Sequence, residues 1–283
     1  MNNFMCFKNK SVLLLLFFFG CTPQKIIVNN PELVSRYYFE RKIKSYEKKE
    51  DLTKDEKRQL IKLQIQYAFG FILERSDRII NHDYHSGINL AKKAHPYFRN
   101  SIDLSLSNLK EKYPGIENWL VSKKDGINFK KGDVFDLYWL AAGYGGSVKS
   151  SRGNPYEMMN INKIEKILYK ALELDPDWNY GSIYSAMMSY MISRPDLYGQ
   201  ALQDSIDKYY FLSLDATDSL DASIFVSYAE GVDVKNQNKP DFISRLKLAK
   251  TIKTNNNQFQ IQNLLAQNRA DWLISRKEEY FFE

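Results

Sequence analysis

The sequence predicts an all-α fold made of helical hairpins, about four degenerate pairs, with a C-terminal capping helix. Apolar residues recur at spacings of three and four along most of the chain, which is the pattern of amphipathic helices. Only 13 Gly and 8 Pro occur in 283 residues, so helix breakers are few. No stretch after residue 21 shows the sustained alternation of a half-buried strand. We therefore expect residues 31–283 to form a single all-helical domain.

Residues 1–20 have the pattern of a lipoprotein signal peptide. Two lysines precede the apolar run Val12–Phe19, and the small residue Gly20 and then Cys21 follow it. This run cannot cross a bilayer, because a spanning helix needs about 20 residues. A cysteine directly after a small residue indicates cleavage before Cys21 and a diacylglyceryl group on its thiol. Phe18 stands where the usual motif has Leu, and an ordinary secretory signal peptide or an uncleaved anchor is the alternative.

Residues 21–30 would then be the lipidated cysteine and a tether. Cys6 would leave with the leader, so the mature chain would hold neither a disulfide nor a free thiol. Thr22 is not the acidic residue of a retention signal, which favours the outer membrane. Apart from the lipid on Cys21 we expect no cofactor. Without the two leader lysines, 38 basic and 34 acidic residues remain, and this net charge of +4 is too slight and too evenly spread to indicate a nucleic-acid partner.

The N-terminal part is predicted to contain one helix and then a helical pair. The first helix covers about residues 31–46. A long helix begins with the capping-box pattern of Thr53 and Glu56 and runs to about Ile80. The helix that pairs with it contains Pro96, which should kink it or divide it in two.

The central pair is the clearest in the sequence. Asp133, with Asp136 three residues on, should cap a helix that runs into the small residues of LAAGYGG. Residues 161–174 have a single apolar stripe, and Asp175-Pro176 ends that helix. Small residues on both helices allow the close approach of a tetratricopeptide-like hairpin. The connection, residues 150–160, makes this hairpin about ten residues longer than such a repeat.

Two further pairs and a final helix are predicted downstream. Residues 180–191 and 200–214 form the third pair, and residues 219–230 and 241–253 form the fourth. The last helix, residues 258–280, has an apolar side suited to cover the final face of stacked hairpins.

Three blocks of the sequence, behind the leader, resemble one known family. LYWLAAGYGG at 137–146, LYKALELDPDWNYG at 168–181 and NLLAQNRADWLISRKEEYF at 263–281 are similar, in order and spacing, to the T-component lipoproteins of TRAP transporters. The resemblance covers most of the chain after about residue 60. It implies a periplasmic, membrane-anchored, tetratricopeptide-like protein that is not an enzyme, with a passage through each protomer of a homotrimer.

The resemblance also implies a role in transport. The protein would associate with the periplasmic solute-binding protein of a TRAP transporter and help to deliver small hydrophobic or carboxylate ligands to the permease. The alternative is a helical-repeat scaffold that binds another envelope protein without ligand transport. An open passage around Gly145 would favour transport, and a packed interior there would favour the scaffold.

Three glycines lie within four residues of the central pair. Gly143, Gly145 and Gly146 need a physical reason inside a helix, because each costs roughly 0.5–1 kcal/mol relative to Ala. Close helix contact or a helix end is one reason, and a wall past which a ligand moves is the other. The passage that the resemblance implies would be lined by Trp139, Tyr144, Gly145, Trp178, Tyr180, Arg269 and Trp272.

Arg269, beside Trp272 on the last helix, is the candidate for a fixed positive charge. A guanidinium set against an aromatic ring can bind a ligand carboxylate in bidentate fashion. It could equally pair with an internal acid, or lie at the edge of the apolar stripe with its stem buried.

No catalytic motif is present in the sequence. It lacks the Gly-x-Ser-x-Gly elbow, the His-Glu-x-x-His pattern and the phosphate-binding glycine loop. His82, Asp83, His85 and the more distant His95 resemble a metal-binding cluster, but further ligands are not evident. We interpret these histidines as solvent-exposed side chains and expect no metal site.

Overall fold

The computed structural model describes residues 35–122, 126–194, 196–254 and 258–282, and no residue in these ranges lies in a strand. The all-α prediction is confirmed for this part of the chain. The predicted signal peptide, Cys21 and the tether lie outside the described residues. The helices are α1 (the π-helical turn Ser35–Glu40 and Arg41–Glu47), α2 (Lys54–Tyr67, the π-helical turn Ala68–Leu73 and Glu74–Ile79), α3 (Tyr84–Lys112), α4 (Ile116–Val121), α5 (Val134–Ser151), α6 (Pro155–Met158), α7 (Ile161–Leu174), α8 (Trp178–Ile192), α9 (Gln200–Ala216), α10 (Ala222–Tyr228 and the π-helical turn Ala229–Asp233), α11 (Lys239–Thr251) and α12 (Gln260–Ser275).

The start of α2 has the capping box that the sequence predicts. The Thr53 hydroxyl accepts a hydrogen bond from the backbone N–H of Glu56 at 3.3 Å. In return, the Glu56 carboxylate accepts from the backbone N–H of Thr53 at 3.0 Å. Two N–H groups that the helix itself cannot satisfy are thereby paired.

Pro96 does not divide the helix that contains it. Helix α3 is continuous from Tyr84 to Lys112, so the predicted division is wrong. A proline leaves the carbonyl four residues earlier, here that of Lys92, without its usual partner. Both Pro96 and Lys92 are exposed, and water can satisfy that carbonyl.

Asp133 does not cap α5 with its side chain, contrary to the prediction. It ends a 3-10 turn, Lys131–Asp133, that leads into the helix. Its buried carboxylate accepts hydrogen bonds from the backbone N–H of Lys130 at 2.8 Å, from the Lys112 ammonium at 2.9 Å and from the Tyr113 hydroxyl at 2.6 Å. A carboxylate engaged by three donors from the end of α3 and its own loop is not free to turn back to the helix.

The glycines of α5 divide between close packing and open space. A Cβ atom on Gly146 would lie 2.1 Å from Cε1 of Phe98, and one on Gly143 would lie 3.0 Å from Cγ1 of Ile102. Both glycines therefore allow α5 to approach α3 closely. A Cβ atom on Gly145 would meet no heavy atom within 4 Å, and Gly145 is partly exposed. The helix continues past all three, so a helix end does not explain them.

The long connection between α5 and α7 contacts α5 and α3 through polar side chains. Glu157 of α6 accepts a hydrogen bond from the Ser147 hydroxyl at 2.7 Å. Its carboxylate also lies 3.4 Å from Nε2 of His95, whose Nδ1 is 3.1 Å from the Ser150 hydroxyl. Residues 150–160 thus fold back against α5 and α3.

Consecutive long helices pack in the predicted pairs, α2 on α3, α5 on α7, α8 on α9 and α10 on α11. The tetratricopeptide-like character of these pairs stays a prediction. Helix α12 packs on α10 and α11, but it also reaches α2. The Arg78 side chain donates to the Asn268 side chain at 2.6 Å, and Leu265 packs on the core around α1 and α2. The helices do not form an open stack, because the last one returns to the first pair.

The glycine contacts of α5 predict opposite effects of the same substitution at adjacent positions. Gly146→Ala should lower the free energy of unfolding by about 1–3 kcal/mol, because its methyl group would overlap the buried Phe98 ring. Gly145→Ala should raise it by about 0.5–1 kcal/mol, because it improves helix propensity where space is open. Urea unfolding followed by circular dichroism measures both. Equal effects of the two variants would contradict the packing described for Gly146.

Candidate functional site

A cavity of about 310 Å³, with charged, serine and apolar side chains in its walls, lies where α12 meets α2, α5, α8 and α10. Three carboxylates and two cations line it, together with several serine hydroxyls. The charged residues are Glu74, Asp77, Lys149, Glu230 and Arg269, and the serines are Ser189, Ser223 and Ser227. Such a lining is close to neutral overall, and it is suited to a polar ligand or to water.

Arg269 joins the walls of this cavity. Its guanidinium forms a bidentate pair with Glu230 of α10, with Nε 3.2 Å from one carboxylate oxygen, and it lies 3.3 Å from Glu74 of α2. The Trp272 ring packs on it, with 4.5 Å between Cζ and the ring centroid. Burial opposes the charge, but the hydrogen bonds to Glu230 and the attraction of Glu74 raise the pKa of Arg269 above its ordinary value. Arg269 therefore stays a cation and is already paired with two internal acids.

A second ion cluster joins α2 to α5. The Asp77 carboxylate lies 2.9 Å from the Lys149 ammonium and accepts a hydrogen bond from Arg152 at 2.7 Å. Arg152 also donates to the Ser76 hydroxyl at 2.8 Å. Burial alone would raise the pKa of Asp77, but the attraction of Lys149 and the hydrogen bond from Arg152 outweigh it and lower that pKa. The ionised carboxylate is thus the form that the fold stabilises.

Two π-helical turns lie beside the acids that Arg269 binds. Glu74 directly follows the π-helical turn of α2, and Glu230 lies within that of α10. A π-helical turn holds one extra residue, so it shifts the following side chains around the helix axis. Next to Glu230, Gly231 lets α10 approach α8, because a Cβ atom there would lie 2.5 Å from Cγ2 of Ile192.

An aromatic cluster lies near the start of α5. Trp178 packs on Tyr138 and Phe135 at centroid distances of 4.8 and 6.3 Å, and Trp139 packs on the same two rings at 5.3 and 6.1 Å. Tyr138 is partly exposed, yet burial raises its pKa to about 12. Asp221, the N-cap of α10, is also partly exposed with a pKa raised by burial. In both groups the surroundings disfavour the charged form.

An exposed stripe of α5 runs from the aromatic cluster to the cavity. Tyr138, Ala142, Gly145 and Lys149 follow one another at about one-turn intervals. Each is partly or fully exposed, although α5 packs against both α3 and α7. At Gly145 the stripe carries only a hydrogen atom and leaves open space, whereas the methyl group of Ala142 packs against the core around α1 and α2.

Five of the predicted lining residues lie at these features. Trp139 and Trp178 belong to the aromatic cluster, and Gly145 lies on the stripe. Arg269 lines the cavity, and Trp272 supports its guanidinium. These five residues thus lie at both ends of the stripe and at its centre, and their role in lining a passage stays a prediction.

Tyr144 and Tyr180 lie apart from these features. Tyr144 is buried on another side of α5, with the Lys163 ammonium 5.3 Å from its ring centroid. Tyr180 is 52% exposed and makes an edge-to-face contact with Phe259 at 5.6 Å. Residues 179–181 have left-handed φ angles of 48°, 58° and 68°, so regular helix in α8 begins only after Gly181 and not at Tyr180.

The sequence analysis did not identify the acids and the lysine of the cavity as site residues. Glu74, Asp77 and Glu230 belong to no motif, and their convergence depends on the return of α12 to α2. One sequence feature could have identified Lys149, since it lies one helical turn after Gly145 and therefore on the same side of the helix.

The histidine cluster has structural contacts. Asp83 caps α3 by accepting a hydrogen bond from the backbone N–H of Ser86 at 2.9 Å, and His82 contacts Arg276. Among the described residues, no group of three or more His, Cys, Asp or Glu side chains is placed to hold a metal ion. Within the same ranges, no helix combines the length and apolar content needed to cross a membrane.

Comparison with known proteins gives a family match. A family model described as TRAP transporter T-component matches residues 44–281. The matched span contains the cavity, the stripe and the aromatic cluster. A search of curated proteins finds no match.

The pairing of Arg269 predicts a loss of stability when its charge is removed. Arg269→Gln should lower the free energy of unfolding by about 1–3 kcal/mol, because Glu230 and Glu74 lose the cation that they face. Arg276→Gln, which removes a more exposed pair with Glu279, should cost less than about 1 kcal/mol. Urea unfolding compares the two variants. An equal loss of unfolding free energy in both would show that the contacts of Arg269 do not hold α12 in place.

The lowered pKa of Asp77 predicts a pH-dependent effect. Because the folded-state pKa lies below the ordinary value of 3.8, the carboxylate contributes stability above that pH and loses it as the pH falls. Asp77→Asn should be about 1–3 kcal/mol less stable than the parent at pH 7, with the difference shrinking below about pH 4. Asp55→Asn, on an exposed position, is the control. Urea unfolding at several pH values measures this, and a constant difference down to pH 3 would contradict it.

Proposed function

The chain belongs to the TRAP transporter T-component family, and on that premise we propose that it helps to deliver a small ligand between a solute-binding protein and the transporter. Its family is one of transporter components rather than of enzymes. In this proposal it is a periplasmic lipoprotein, held by the lipid on Cys21, and the outer membrane is the favoured site of the anchor. The partner is the solute-binding protein of the same transporter, and the protein assembles as a homotrimer.

The exposed stripe of α5 carries this proposal. Gly145 has open space where a packed helix would have side-chain contacts, and Tyr138 and Lys149 lie on either side of it along the helix. The stripe thus offers a wall with no projecting side chain at its centre. We take it as one side of a passage that links the aromatic cluster to the cavity.

The two ends of this passage suit different parts of one ligand. The aromatic cluster, with Trp178 and Trp139, would bind an apolar body. At the cavity end, Lys149 is 48% exposed and is the cation more accessible to a ligand carboxylate. Arg269 is less accessible, since Glu230 and Glu74 already occupy its donors. A small hydrophobic molecule with a carboxylate group would place its apolar body at the aromatic cluster and its carboxylate near Lys149.

The scaffold remains the second candidate, and one observation favours it. The charged groups of the cavity are paired with one another through Arg269 and through Asp77. A polar junction satisfied in this way needs no ligand. In the scaffold hypothesis the helices bind an envelope protein, and the cavity only joins α12 to its neighbours.

Blocking the passage distinguishes the two candidates. The chain from Thr22 onward is used to capture its partners from an envelope extract, and the proteins and small molecules recovered are identified by mass spectrometry. Gly145→Trp fills the stripe, and Gly115→Trp places the same side chain on an exposed turn with open space. We expect both variants to recover the solute-binding protein, and only Gly145→Trp to lose the small molecule.

Two other outcomes would decide against the proposal. If the parent chain recovers no solute-binding protein, the transport role is wrong. If the solute-binding protein is recovered and the small molecule is equally abundant with both tryptophan variants, the passage is wrong and the scaffold is supported.

A further inference from the structure

Helix α1 has one face that the rest of the fold does not cover. Phe39 and Ile43 are buried on its other side, where the Phe39 ring stacks on Tyr67 at 5.6 Å. The uncovered face carries two tyrosines, 68% and 46% exposed, and four cations against one acid. Its residues are Tyr37, Tyr38, Arg41, Lys42, Lys44, Ser45 and Glu47 of the helix, and Lys48 directly after it.

This composition matches the chemistry of an anionic membrane surface. Tyrosine has an apolar ring and a polar hydroxyl, and it is enriched at the level of lipid headgroups. Lysine and arginine near such a surface are attracted by anionic headgroups. Helices that lie on membranes combine both on one side, and the uncovered face of α1 does the same.

With the proposed lipid on Cys21, the position of α1 in the chain would place this helix near the membrane. It is the first described element, and the roughly 14 residues from Cys21 to Ser35 reach at most about 50 Å when fully extended. A lipid on Cys21 would keep the domain close to the bilayer without fixing its orientation. At the high local concentration that such a tether creates, even a weak surface contact is occupied.

We propose that the exposed Tyr–Lys face of α1 docks on anionic lipid headgroups and orients the domain on its membrane. The inference rests on the lipid anchor of the proposed function, but it does not depend on the transport role. It can be tested without the lipid anchor, because the contact itself needs only the described residues.

Vesicle binding of the chain from Thr22 onward tests the charged part of the face. Cosedimentation should be about tenfold stronger with vesicles containing phosphatidylglycerol than with phosphatidylcholine alone, and it should weaken as salt is added. Lys42→Gln/Lys44→Gln should remove most of this preference. Lys235→Gln/Lys247→Gln, which removes two exposed lysines of the same charge elsewhere, should retain it.

A second pair of variants tests the tyrosines. Tyr37→Ser/Tyr38→Ser should weaken binding to the same vesicles severalfold, whereas Tyr156→Ser/Tyr198→Ser, at positions 82% and 88% exposed, should not. The proposal is overturned if the parent chain binds both vesicle types equally, or if each variant and its control lose binding to the same extent.

Site-specific labelling gives a direct readout of orientation. The two cysteines of the sequence, Cys6 and Cys21, both precede Thr22, so one introduced cysteine carries the only label. A fluorophore on Ser45→Cys should be quenched by brominated lipids in anionic vesicles, and one on Lys247→Cys should not. Quenching at Lys247→Cys alone would show that another face meets the membrane.

Discussion

The ion pairs of Arg269 are the interaction on which the shape of the molecule depends. They join α12 to α2 and to α10, elements that the order of the chain does not make neighbours. A buried guanidinium without partners would be strongly unfavourable, so the acids and the arginine must meet once α12 packs there. Leu265, in contact with the core around α2, adds an apolar contribution to the same junction. The junction is therefore specific as well as stabilising, and its charged side chains line the cavity.

A junction of this kind has two consequences for ligand recognition. Its cations are offset by its own carboxylates, so the cavity attracts neither sign of charge strongly. Recognition of a charged ligand would then depend on the side chain that is most accessible, and Lys149 is more exposed than Arg269. The other end of the stripe is formed by aromatic side chains rather than by ion pairs. Apolar area there would supply affinity, and the polar end would supply orientation.

Much of the fold follows from local rules that the sequence displays. The capping box at Thr53, the apolar stripe of α7 and the break at Asp175 depend on neighbouring residues only, and each lies where it was predicted. The division expected as one alternative at Pro96 and the side-chain cap expected at Asp133 are both absent. Solvent around Pro96 and three donors around Asp133 account for this. Both depend on tertiary surroundings.

The residues of the candidate site also separate into those that the sequence identifies and those that only tertiary contacts bring together. Gly145 and the tryptophans stand out because glycine is unfavourable in a helix and because only 4 Trp occur in the sequence. The acids around Arg269 do not, because π-helical turns and a returning helix bring them together, and neither has a periodic signature. The contact between Glu74 and Arg269 joins residues 195 positions apart. Such a contact forms late in folding, since closing a long loop costs entropy before any interaction offsets it. A growing chain would thus complete its helical pairs first, and it would acquire the cavity only when its last helix arrives.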